Sequence, residues 1–181
     1  MNEVQDQQQL GRALNAVQEF LVHKLLFPKV YLDADWNGNR VDVLAIDRTG
    51  VGDVHAVHVV PVEPDGEPDC DWQFLVTKAA ILVNKEIELL STLPAQFRYI
   101  ALIGFSSGLE RFYPNAELTR RLLAKDGVGR IGILHVDLTE DDPSVRVILK
   151  SERFRSSKEI VGLTDRFVAE HTANWEFREE L

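Results

Sequence analysis

The side chains of this chain with the types and spacing for chemistry are carboxylates and histidines set in short alternating segments. In "YLDADW", Asp33 and Asp35 stand two apart. On a strand both leave one face, as the oxygen donors of a hard cation would. The polar outer face of a sheet has the same pattern, and that is the stronger reading. Asp42, in "NRVDVLAID", shares a strand face with Leu44 and Ile46. An unpaired carboxylate there would be expensive. It calls for Arg40, His58 or a backbone N–H as its donor, and an Asp42–His58 pair is the favoured expectation. His58 shares its face with Ala56 and Val60, whereas His55, three positions earlier, faces the other side. The two histidines therefore do not converge on one ion. His135, in "GILHVDL", reads as a core histidine.

Nucleophiles are sparse. Ser106 and Ser107, in "FSSG", follow a strand, at the edge where open sheets often bind ligands. No base accompanies them in the sequence. Cys70 is the single cysteine and lies in the polar loop "PDGEPDCDW", again without a base. "DGVGRIG" precedes a strand, while a phosphate loop follows one and opens a helix, so it reads as a turn. There is no G-x-S-x-G elbow and no spaced Cys/His set.

The elements that must position these residues follow from periodicity. Leu10, Leu14, Val17, Leu21 and Leu25 predict an amphipathic helix over 7–27, with Glu19 and His23 outward and Pro28 as its stop. "KVYLDAD", "RVDVLAID" and "VHAVHVVPV" predict three strands joined by "NGN" and "RTGVGD", an antiparallel meander. A helix over about 72–93 presents Leu75, Ala79, Leu82, Leu89 and Leu93 inward, with Glu86 on the same line and Lys78 within a turn of Leu75 and Leu82. "FRYIALIGF" is continuously apolar and reads as a buried strand. A short helix, "NAELTRRLLAK", two further strands and a closing helix from Ser156 or Ser157 complete the order α-β-β-β-α-β-α-β-β-α. The fold class expected is α/β: a central mixed sheet containing the meander, flanked by helices on both sides.

At 181 residues with 45% hydrophobic side chains, one domain spanning 1–181 with a substantial core is expected. The balance of 20 basic against 29 acidic residues, net −9, argues against broad non-specific nucleic-acid binding. The exception is a basic strip, Arg146, Lys150, Arg153, Arg155 and Lys158, which reads first as a solvated face and second as a partner or phosphate strip. One cysteine, a polar start without an apolar core and no membrane-length apolar run suggest a cytoplasmic protein without membrane association.

The order of elements, together with "GNRVDVLAID" and "GDVHAVHVV", resembles the PD-(D/E)XK nuclease-like superfamily, the restriction-endonuclease-like fold. The resemblance covers a core of about 7–135 and leaves a strand-and-helix extension at about 143–178. It implies a metal-binding Asp on the second strand, matched by Asp42. It also implies a second acid on the third strand, where His58 stands, and a lysine two residues on, where Val60 stands. Magnesium prefers oxygen ligands, and histidine suits Mn²⁺ or Zn²⁺ better. A rearranged site of Asp42, His58, Glu86 and Lys78, with Asp42 and His58 on the metal, is the catalytic alternative.

The first expectation is thus a degenerate, non-enzymatic member acting as an interaction or scaffold module in a bacterial-type cytoplasm. It needs no cofactor and would bind a protein partner. The second is a Mg²⁺- or Mn²⁺-dependent nuclease using the rearranged site. The third is a non-cleaving nucleic-acid-binding subunit using the basic strip. Ile160, Leu163, Phe167 and Trp175 form a helical stripe that by default packs on its own chain, with a homodimer as the other outcome.

Overall fold

A computed structural model describes residues 3–47, 53–61, 85–104, 131–138, 141–154 and 157–176. The chain opens with helix α1 (Glu3–Glu19), which buries Ala13, Ala16 and Val17 and leaves Glu19 in solvent. A π-helical turn, Phe20–Lys24, extends it and buries Leu21. Two backbone bonds close this end: Leu25 N–H to Phe20 O at 3.2 Å and Phe27 N–H to Leu21 O at 3.0 Å. The second spans seven residues, one more than the 6→1 bond of a Schellman motif, and closes the wide π turn with a left-handed residue before its donor. Leu26 takes that conformation, with φ 59°. Phe27 is thereby turned inward, while Leu25 and Leu26 remain 43% and 77% exposed. The stripe expected over 7–27 is corrected accordingly. Leu10 and Leu25 stay exposed, and the small Ala13 and Ala16 take buried places that let the helix lie close to the sheet.

Six strands follow: β1 (Lys29–Trp36), β2 (Asn39–Ile46), β3 (Val54–Pro61), β4 (Phe97–Gly104), β5 (Gly132–Asp137) and β6 (Ser144–Leu149). They lie side by side in chain order. β1, β2 and β3 form the antiparallel meander. β3, β4 and β5 run parallel, and β6 returns antiparallel. The β1–β2 turn has positive φ at both Asn37 and Gly38, which matches the right-handed twist of the strands it joins.

Helices cover both faces. α1 packs on Val43, Ala45, Val57, Val59, Ala101, Ile103, Leu134 and Val136. On the other face, Leu44, Ile46, Ala56, Ile100, Leu102 and Ile133 meet helix α2 (residues 85–92) and helix α3 (Ser157–Glu176). The middle strands are buried on both sides, which explains their near-continuous apolar sequences. Ile160, Phe167 and Val168 of α3 are buried in this core, so the closing helix packs on its own chain. In α2 the expected stripe is shifted. Leu90, with Leu93 just beyond the helix, is buried in line with Glu86, and Leu89 is 51% exposed.

The β6–α3 connector is tied across the beginnings of β3 and β4. Phe154 N–H donates to Gln96 O at 2.8 Å, Arg98 N–H to Ser151 Oγ at 3.1 Å, and Val54 N–H to Gln96 Oε1 at 2.7 Å. The helix expected over "NAELTRRLLAK", the first part of the 72–93 helix, and Cys70, Lys78, Ser106, Ser107 and Arg155 lie outside the described residues.

Candidate functional site

The site is built where β2 leaves β3. Their ladder runs from Ile46 against Val54 to Val43 against Val57 and ends there. On the other side of β2, Leu32 pairs with Val43 and Ala34 with Val41, and the position between them, Asp33 against Asp42, is skipped. Asp33 has φ 50°. Val41 and Val43, two apart and so due on one face, belong to the cores on opposite faces. Side-chain alternation therefore resets at Asp42. Its carboxylate turns to β3, and Oδ2 accepts the Val59 backbone N–H at 2.7 Å.

Asp42 and His58 do not pair with each other. His58 Nδ1 stands 2.8 Å from Oε2 of Glu86 on α2, with side-chain exposures of only 13% and 18%. With Glu86 Oε2 as acceptor, Nδ1 is the nitrogen that carries the hydrogen and donates. Nε2 is buried and has no hydrogen-bond partner among the described residues. Val60 lies in the core on the same face as His58 and offers no donor or charge. Arg40, the other donor expected for Asp42, pairs with Asp33. Asp35 Oδ1 accepts Gly38 N–H at 2.9 Å and shapes the hairpin turn, so Asp33 and Asp35 are exposed, internally partnered groups. Among the described residues, no group of three His, Cys, Asp or Glu side chains stands in metal-binding proximity.

The basic strip is placed elsewhere. Arg146 and Lys150 are exposed on and just after the outer strand β6, and Arg153 pairs with Asp53. Asp53 precedes β3 by one residue, so Arg153 contacts the sheet five residues, roughly 16 Å, along the strand from His58. Arg146, Lys150 and Arg153, the strip's members with described side chains, do not converge with the Asp42–His58–Glu86 cluster.

Of the three donors the sequence offered Asp42, the backbone N–H is the one used rather than the favoured His58, and His55 was legible only by its face. That ring lies on the α1 face of β3, stacked on Phe97 with centroids 4.4 Å apart and met edge-on by Phe27 at 4.4 Å. Burial lowers its pKa to about 4, against a smaller raising effect from Asp47. The alternation "VHAVHVV" places His55 with Val57 and Val59; nothing in it marks the aromatic slot.

These features define an α/β protein with a six-strand mixed sheet flanked by helices, and no described helix is long and apolar enough to cross a membrane. Among solved structures, the chain is similar to a protein of unknown function from Silicibacter pomeroyi, at 12% identity over 94% of this chain and 89% of that one, with a TM-score of 0.51. That likeness shows the fold. No family model and no curated protein matches the sequence.

Proposed function

We propose that this chain is a nuclease-like-fold module that binds a protein partner rather than cutting nucleic acid. The order helix, meander, crossover and parallel fourth strand supports the nuclease-like reading, as does the placement of Asp42 beside residues 58–60. The observation that carries the loss of catalysis is the His58–Glu86 contact. At the motif's second acid stands an imidazole, and its hydrogen bond occupies the helix carboxylate that could have replaced that acid. Asp42 is spent on a backbone N–H. The single cysteine and the absence of a membrane-length apolar helix among the described residues are in keeping with a bacterial-type cytoplasm.

A second reading has one observation in its favour. α2 does bring a carboxylate to the hairpin, so Asp42, His58 and Glu86 could be the remains of a rearranged metal-dependent nuclease site. Thermal unfolding in EDTA, Mg²⁺ and Mn²⁺ separates the two. Asp42→Asn is the informative variant, because its amide oxygen still accepts the Val59 N–H. The proposal expects equal melting temperatures in all three conditions for both proteins. A metal-dependent rise that Asp42→Asn abolishes would establish the second reading instead. The nucleic-acid reading predicts duplex affinity that falls steeply with salt and weakens on Arg153→Ala.

A further inference from the structure

His55 is the floor on which the α1–β1 turn rests. Its ring stacks on Phe97 at 22° between planes, and Tyr99 lies nearly parallel at 6.1 Å. Phe27, the residue that the closure bond to Leu21 turns inward, covers it edge-on. Nδ1 is buried and has no hydrogen-bond partner among the described residues. We propose that this contact is an acid-sensitive lock: protonating His55 releases Phe27 and frays residues 20–27, while the sheet beneath stays paired.

A neutral imidazole suits an aromatic slot. An imidazolium must place a second N–H and a charge where no acceptor meets Nδ1. Among the described residues, the charged and titratable groups around it are few. Asp47, at the end of β2, favours the charged ring. Tyr99 on β4 is itself pushed up by burial, so it is neutral. Phe27 and Phe97 carry no charge, and His23 and Lys24 of the π-turn are exposed. Burial outweighs Asp47, so the folded state disfavours the proton. The sign follows. Stability associated with the neutral ring is intact above the ordinary histidine value of 6.5 and is lost as pH falls from there toward about 4.

The turn yields before the strand for a structural reason. The His55 backbone is in register with Ala45 on β2 and Phe97 on β4. The turn is held by two closure bonds and by Phe27, against the cost of a left-handed leucine.

The test is hydrogen–deuterium exchange on the full chain at pH 7 and pH 5, corrected for intrinsic rates. Protection of amides 20–27 is expected to fall by about ten- to thirty-fold, the ratio set by a proton that binds the open turn and not the closed one. Amides of β3, β4 and β5 are expected to hold. His55→Phe keeps a ring in the slot and should make the turn insensitive to pH. If that variant does not fold, Phe27→Leu serves: its turn should already be frayed at pH 7 and change little further. Uniform loss across turn and sheet would mean ordinary acid unfolding and would overturn the lock. So would full protection at pH 5, or an unchanged pH response in His55→Phe.

Discussion

Asp42 accepts a hydrogen bond from the backbone N–H of Val59, 2.7 Å away, and so supplies a bond that the β2–β3 ladder no longer makes beyond Val43. This fixes an ordered result for two substitutions. Asp42→Asn retains an acceptor and should change stability little. Asp42→Ala leaves a half-buried N–H unpaired and should cost about 1–3 kcal/mol. Denaturant unfolding of both variants in EDTA checks this without reference to metal. Equal losses in the two would mean that charge, rather than the bond, is what Asp42 contributes.

The His58–Glu86 contact joins the crossover helix to the sheet. Both side chains are mostly buried, so removing one strands the other. Glu86→Leu alone should cost about 1–3 kcal/mol, as should His58→Leu alone. The double replacement should cost less than the sum, and a double-mutant cycle reads the difference as a coupling. A coupling near zero would show that the pair is incidental to packing. It would also remove the observation on which the non-catalytic reading stands.

The layers were legible because they depend on period. "VHAVHVVPV" and "FRYIALIGF" announce buried strands, and the NG turn announces the first hairpin. Asp42 and Glu86 were legible as candidates, but their partners were not. Alternation carries information about faces, and the reset at Asp42 breaks it through a left-handed Asp33 on the neighbouring strand. No local pattern encodes that. The same limit applies to α2, where a rotation of about 100°, little more than a quarter-turn, decides whether Leu89 or Leu90 is buried. His55 was read only by face, since its slot is assembled from Phe27, Phe97 and Tyr99, which lie 28 to 44 positions away in sequence.

Gly132, the first residue of β5, sits where a side chain has no room. An added Cβ would run into the Tyr99 ring and come within 2.7 Å of the Ser151 backbone nitrogen. Ser151 belongs to the connector tied to β4 through Arg98 N–H, so it does not give way cheaply. Gly132→Ala should destabilise the protein by about 1–3 kcal/mol. For a chain of this size that lowers the melting temperature by about 3–10 °C. An unchanged melting temperature would show that Tyr99 swings clear without loss.

Leu26 runs the other way. It occupies the left-handed position just before the closing Phe27, φ 59°, where glycine carries no Cβ penalty, and it is 77% exposed. Little packing is lost on truncation. Conformational strain of about 1–2 kcal/mol is relieved, offset in part by the greater freedom of glycine in the unfolded chain. Leu26→Gly should therefore stabilise the protein by about 0.5–1 kcal/mol. Leu26→Val should destabilise it, because a β-branched residue fits that conformation least well. Denaturant midpoints for the two variants, measured at neutral pH where His55 is uncharged, test the pair. A loss of stability in Leu26→Gly would mean that the freedom glycine gains in the unfolded chain outweighs the strain relieved in the turn.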